Sequence, residues 1–367
     1  MNTNFAQSAP VSDPKPSAPV TRRWYHRVLF GDWGLRAGWG LLLYLLLANL
    51  GQTIVEGIPK WYGQHHPAFA STLQQVEKAS HDLRDRQPGG VLYSHGRPIT
   101  VVLLLLWIMS RVERRPYAAY GWGSRHRVRD FGIGLLCGFV LLSLLVGVLW
   151  AAHLIVFDGV RLSGPQALLY GVKWLLAFCL VGLSEEFLTR GYLQYTLARG
   201  MAGLIPKRIL YRYAIGFGIA SILLAILFGA GHSSHSTESL IGLVSAGSIG
   251  LLFSYSLWRS GSLWWAIGTH AAWDWAQSYL YGVGDSGVLC HGRLLASHPA
   301  GRGFLSGGVT GPEGSILVFG AILLGVVFVR FTLPKRSYPV GLSPISQSPA
   351  FQASADPIPQ AQGANPS

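Results

Sequence analysis

Three ionisable side chains, Glu185, Glu186 and Arg190, lie within six residues at the end of an apolar stretch. On a helix Glu186 and Arg190 are four positions apart, so they share a face and can form a structural ion pair. Glu185 is rotated by about 100° from Glu186 and has no cation at the matching position. Its carboxylate is therefore available either as a general base or as a hydrogen-bond partner for a neighbouring helix.

Two histidines and an aspartate accompany two later apolar stretches. His232 follows the small residues 229–231, which would let another helix backbone approach closely. His270 and Asp274 are four positions apart and so lie on one helix face. Ionisable side chains within apolar helices are costly and rare, which makes each one a candidate functional residue. With Glu185 they could hold a water molecule or complete the ligand set of a divalent metal such as zinc.

The elements that must position these residues are apolar stretches of membrane-helix length. A bilayer-spanning helix needs about 20 residues. Eight stretches reach or approach this length, and they centre on residues 34–55, 99–112, 131–156, 167–183, 213–230, 240–257, 263–281 and 315–331. The sequence therefore predicts an all-α, polytopic membrane helix bundle of about eight transmembrane helices, with the active site inside the bundle.

Polar, proline-rich segments flank the apolar part of the chain. Residues 1–20 and 338–367 have no apolar periodicity and are predicted to be disordered tails. Residues 21–337 are predicted to form one transmembrane domain. The ionisable residues fall within its core, residues 131–281.

Composition and charge support a membrane protein. Only 12% of the 367 residues are charged, against roughly 25% in soluble domains, and the mean hydropathy is +0.34. The net charge of +13 could indicate a nucleic-acid partner. The basic residues, however, cluster in every second loop, as expected for a protein with both termini in the cytoplasm. No nucleic-acid partner is therefore expected.

The spacing between Glu185 and His232 is unusually long for neighbouring antiparallel helices. The two residues are 47 positions apart, and the segment 199–212 between them is rich in basic residues. We expect this segment to be an insertion that lies on the membrane surface, which would bring the two side chains to one depth.

Three motifs in this order resemble those of the CPBP family. This family comprises CAAX proteases and bacteriocin-processing enzymes and is also called Abi. The matching motifs are Glu185-Glu186-x-x-x-Arg190, Phe228-x-x-x-His232 and His270-x-x-x-Asp274. The resemblance covers residues 131–281, and Arg114-Arg115-Pro116 and Gly311-Pro312-Glu313-Gly314 also resemble bacterial members.

The resemblance implies a CAAX prenyl endopeptidase-like intramembrane protease in which Glu185 and His232 activate a water molecule. His270 and Asp274 would stabilise the oxyanion or complete a metal site, so the enzyme is expected to be glutamate-type or a metalloprotease. Eukaryotic CAAX proteases have Asn where this chain has Asp274. An ionised Asp cannot donate a hydrogen bond to an oxyanion, so Asp274 fits a metal ligand, a protonated acid or an orienter of His270.

The resemblance further implies a substrate that is a membrane-anchored, lipidated or precursor peptide in the lipid bilayer, and a location in the bacterial inner membrane. The alternative is a non-catalytic immunity or scaffold protein, or a proton-coupled carrier, in which the same polar cluster bonds the helices together.

A further string, Gly282-Val283-Gly284-Asp285, matches the GxGD motif of intramembrane aspartyl proteases. It is predicted to lie in a loop beyond the end of its helix. We therefore treat the match as coincidental and do not expect an intramembrane aspartyl protease.

Overall fold

The computed structural model of the protein describes residues 24–31, 34–82, 84–234 and 237–335. Within these ranges the α-helices are α1 (Trp24–Leu29), α2 (Ala37–His65), α3 (Pro67–His81), α4 (Pro88–Glu113), α5 (Arg127–Ala151), α6 (Gly164–Glu186), α7 (Gln194–Leu204), α8 (Arg212–Gly231), α9 (Leu240–Ser260), α10 (Trp264–Asp274), α11 (Gly303–Ser306) and α12 (Val318–Thr332). The predicted tails, 1–20 and 338–367, lie outside the described residues.

Strands are few and short. The strands β1 (Phe30–Gly31) and β2 (Gly34–Leu35) form one antiparallel pair. The strands β3 (Ile155–Val160) and β4 (Leu295–Pro299) form another, with an irregularity in register near Phe157. Both pairs lie in connections between helices, so the prediction of an all-α fold is confirmed.

Six helical segments of the described chain are long and apolar enough to cross a membrane. They are Ala37–His65, Pro88–Glu113, Arg127–Ala151, Gly164–Leu204, Arg212–Gly231 and Leu240–Ser260. The other two predicted stretches form α10 with its continuation and α12, which are shorter. The molecule is therefore an integral membrane helix bundle.

Several helices extend well beyond the apolar stretches that indicate them. The helix α4 begins at Pro88, eleven residues before the apolar stretch that starts at 99. The preceding loop is itself largely helical, since α3 occupies Pro67–His81. A hydropathy pattern marks only the part of a helix that suits the hydrocarbon layer, so polar helical turns outside it are missed. Proline is well placed at the start of α4, because the first helical residues need no N–H partner.

One continuous helical segment, Gly164–Leu204, joins α6 to α7 through the π-helical residues Phe187–Leu193. Arg199 lies in α7, is buried, and pairs with Glu113 of α4 at 3.1 Å. The prediction that residues 199–212 form a surface insertion is therefore wrong for the first part of that segment. The extra length between Glu185 and His232 is mostly helix, because a buried carboxylate provides the partner that Arg199 needs.

Glycines allow α5 and α10 to pack backbone against backbone. A Cβ placed on Gly138 would lie 2.2 Å from the carbonyl oxygen of Thr269, and one on Gly268 would lie 2.3 Å from that of Phe131. Small residues at such crossings are typical of membrane helix interfaces. This contact sets the position of α10, which bears two of the predicted site residues.

Candidate active site

The bundle encloses a cavity of about 220 Å³. This is the volume of about seven water molecules at ~30 Å³ each. The four residues predicted to be catalytic all line it: Glu185 from α6, His232 at the end of α8, and His270 and Asp274 from α10. The folded chain therefore brings together side chains that are up to 89 positions apart in sequence.

His270 lies at the centre of this group. Its Nδ1 is 3.1 Å from Oε1 of Glu186. Its Nε2 faces two further carboxylates, at 3.5 Å from Oδ2 of Asp274 and 3.8 Å from Oε2 of Glu185. Carboxylates on both sides of an imidazole favour protons on both of its nitrogens. The ring is thus arranged as a hydrogen-bond donor towards the cavity.

Glu186 and Arg190 form the ion pair that their spacing predicts. Nη1 of Arg190 is 2.7 Å from Oε2 of Glu186, and both residues are almost completely buried, with 2% and 0% of their surfaces exposed. Nε of Arg190 also donates to the carbonyl oxygen of Gly250 on α9. One Glu186 oxygen therefore binds Arg190 and the other binds His270, so this carboxylate positions a site residue as well as neutralising a charge.

His232 makes one ring hydrogen bond among the described residues. Its Nδ1 lies 2.8 Å from the carbonyl oxygen of Phe228. A carbonyl oxygen can only accept, so Nδ1 must carry the proton. In the neutral ring Nε2 then has a lone pair, as a proton acceptor requires.

Two π-helical segments adjoin the site. Phe187–Leu193 begins directly after Glu186, and Trp275–Leu280 begins directly after Asp274. Such segments are rare and are frequently found at functional sites. Both change the direction in which the following side chains point, immediately beyond the residues that line the cavity.

A metal ion would need at least three of these side chains to converge on one point. Among the described residues, no group of three or more His, Cys, Asp or Glu side chains is arranged in that way. No catalytic step is therefore derived through a metal ion.

The cavity also contains residues that sequence reasoning missed. These are Arg86, His95, Asp285, Ser286 and Glu313. His95 of α4 lies 3.0 Å from the hydroxyl of Ser184, directly before the paired glutamates. His95 lies in the first turns of α4, before the apolar stretch that starts at 99, so hydropathy does not indicate it. The others lie in connections, where hydropathy gives no signal.

Asp285 of the GxGD string lies in the cavity wall. The connection does lie beyond the helix end, but it folds back over the bundle. The hydroxyl of Ser278 donates to Asp285, and the N–H of Ser286 donates to Glu313. The hydroxyl of Thr237 donates to the Ser286 carbonyl oxygen. These bonds hold three connections together at one end of the cavity.

Burial affects the two acids of these connections. It raises the pKa of Asp285 even though the nearby Arg86 guanidinium opposes the shift. Burial raises the pKa of Glu313 well above its ordinary range, and the neighbouring Asp285 adds to the effect, against the Ser286 N–H. Both carboxyls therefore hold a proton more tightly than exposed acids do.

Comparison with curated proteins and with solved structures gave no match. A family model described as type II CAAX prenyl endopeptidase Rce1-like matches residues 165–276. This segment runs from the start of α6 to just beyond α10 and contains every residue of the three sequence motifs. Over this segment the match agrees with the resemblance to the CPBP family that those motifs indicate.

Proposed function

We propose that the protein is an intramembrane endopeptidase that hydrolyses peptide bonds of membrane-anchored, lipidated or precursor peptides with a water activated by Glu185 and His232. The observation that supports this most is a cavity inside the apolar bundle that is lined by two bases and by a histidine between carboxylates. The family model supports a protease of the CAAX type.

In the proposed reaction a water molecule lies between the Glu185 carboxylate and Nε2 of His232. As the water oxygen attacks the scissile carbonyl carbon, its proton passes to the Glu185 carboxylate, while Nε2 of His232 helps to polarise the water. The carbonyl oxygen becomes an oxyanion. Collapse of this intermediate breaks the C–N bond, and the same base returns the proton to the leaving amine, so the two products are a new carboxyl group and a new amine.

His270 is the proposed stabiliser of the oxyanion. Glu186 accepts from its Nδ1 at 3.1 Å, and Asp274 lies near its Nε2. With protons on both nitrogens the ring is a cation, and a preorganised cation in a site of low dielectric stabilises a developing negative charge. In this arrangement Asp274 orients and charges His270, so it need not donate to the oxyanion itself.

The family description supports a prenylated or otherwise lipidated substrate, bound from within the bilayer. We further propose that the protein lies in a bacterial inner membrane with both termini in the cytoplasm. The basic residues in alternate loops support this orientation.

A divalent metal such as zinc stays a prediction of the sequence, and chelation tests it. We expect the purified protein to retain its cleavage rate after exhaustive dialysis against a chelator, because the site side chains do not converge on one point. The measurement is the cleavage rate together with the metal content of the same sample. Loss of activity that returns with added zinc would establish the metalloprotease instead.

The proposed function is tested by comparing the membrane peptides of cells that contain the wild-type protein or Glu185→Gln. The substitution keeps shape and hydrogen bonding but removes the base, so peptides cut by the protein should be absent. Glu56→Gln, in α2 and away from the cavity wall, is the matched control and should give the wild-type pattern. Full cellular function with Glu185→Gln would support the non-catalytic immunity, scaffold or carrier alternative.

A further inference from the structure

The Arg86 side chain lines the cavity. Arg86 lies just before α4. Among the described residues of the cavity wall, no other lysine or arginine is present. Its Nε is buried and has no hydrogen-bond partner. In the described chain no carboxylate lies within ion-pair distance of its guanidinium. The residue as a whole is half-buried, so its guanidinium keeps only part of its contact with water.

The backbone holds Arg86 in place. Its N–H donates to the carbonyl oxygen of Leu289 at 3.0 Å, and its own carbonyl oxygen accepts from the N–H of His291 at 2.9 Å. These bonds join the chain before α4 to the connection that also bears Asp285. The main chain of Arg86 is therefore anchored beside the cavity that its side chain lines.

Nearby acids do not neutralise Arg86 directly. Asp285 is close enough for the guanidinium to oppose the burial that raises the pKa of its carboxyl. That pKa stays raised, so the attraction between the two groups is weaker than the cost of burying Asp285. The other carboxyls in the cavity wall are Glu185, Asp274 and Glu313. The first two belong to the proposed catalytic group, and Glu313 is bonded to Ser286.

We propose that Arg86 binds a carboxylate of the peptide substrate and so selects substrates that place an anionic group at this end of the cavity. This inference rests on the proposed function. A guanidinium presents paired donors that match the two oxygens of a carboxylate. The carboxylate is either the C-terminal group of the peptide or an acidic side chain. Arg86 lies outside residues 165–276, so the family match does not assign it this role.

Binding of three N-acetylated apolar tripeptides to the purified protein in nanodiscs tests the proposal by calorimetry. One tripeptide has a free C-terminal carboxylate, one a C-terminal amide, and one an amide with a glutamate side chain. We expect at least one carboxylate peptide to bind about tenfold or more tightly than the neutral amide, in line with hydrogen bonds to charged groups. The carboxylate peptide that binds more tightly shows whether Arg86 recognises the C-terminal carboxylate or an acidic side chain.

In Arg86→Gln this preference should disappear. Arg84→Gln is the matched control, since Arg84 lies two residues earlier, is exposed and does not line the cavity. It should keep the preference. No preference in the wild-type protein, no binding of any tripeptide, or the same preference in Arg86→Gln would each overturn the proposal. The readout does not need cleavage, so an inactive protein that still prefers the carboxylate would contradict the proposed function and leave this inference standing.

Discussion

At the scale of single residues, Glu186 connects the structural and the chemical parts of the site. Its two oxygens bind Nη1 of Arg190 and Nδ1 of His270. Sequence spacing predicts the first contact, because i and i+4 positions meet on any helix. The second joins residues 84 positions apart and depends on how α6 packs against α10. A pattern within one helix contains no information about that packing.

Removal of the Glu186 charge should destabilise the protein. Glu186→Gln leaves Arg190 buried without its counter-ion, and breaking a buried pair in this way costs about 3–5 kcal/mol. We expect a lower midpoint of thermal unfolding in detergent and a lower abundance in the membrane. The double variant Glu186→Gln/Arg190→Gln should recover part of the loss, because neither charge is then left alone. A midpoint equal to wild type in the single variant would contradict this account of the pair.

Glu313 should make stability depend on pH. Its pKa is raised in the folded protein, so the folded state binds the proton more tightly than the unfolded state does. Stability is then highest at low pH and falls as pH rises from the ordinary glutamate value of 4.5 towards the folded pKa. The unfolding midpoint should fall as the pH rises above the ordinary glutamate value of 4.5, and Glu313→Gln should reduce that fall.

The control for this pH effect is Asp158→Asn, at a carboxylate that is about half exposed and pairs with His298 on the facing strand. It should leave the pH dependence unchanged. An equal slope in wild type and Glu313→Gln would show that Glu313 does not bind its proton more tightly in the folded state.

At the scale of elements, the contact between α5 and α10 determines where His270 and Asp274 lie. Hydropathy predicts both helices. It does not show that they pack against each other, so the role of the glycines at their contact cannot be predicted from the sequence. The same limit applies to α7. Its basic residues suggest a membrane surface when taken alone, whereas Glu113 of α4 provides Arg199 with a buried partner at 3.1 Å.

Replacement of Gly138 should separate these two helices. A Cβ at this position would lie 2.2 Å from the Thr269 carbonyl oxygen, a backbone atom that cannot move aside alone. Gly138→Ala should therefore lower the unfolding midpoint and reduce cleavage. Gly147→Ala in the same helix meets no atom within 4 Å and should be tolerated, because Ala is the better helix former. Equal midpoints for the two variants would contradict the proposed role of this contact.

At the scale of the whole molecule, composition alone predicts a membrane protein. A chain with so few charged residues cannot cover its surface with the polar groups that a water-soluble protein needs. The motif residues are predictable for the same reason, since a charge is conspicuous in an apolar stretch. The end of the cavity formed by Arg86, Asp285 and Glu313 is not predictable. Polar residues are ordinary in connections, and only the folded chain shows which connections turn back over the bundle.

The central claim is that Glu185 is the base of a peptide hydrolysis. The most direct measurement is the cleavage rate of a reconstituted substrate by purified wild-type protein and Glu185→Gln in liposomes, with Glu56→Gln beside them. Loss of a general base lowers the rate by about a hundredfold or more, so Glu185→Gln should show that loss with an unfolding midpoint close to wild type. A rate within about twofold of wild type, well short of the expected loss, would contradict the account.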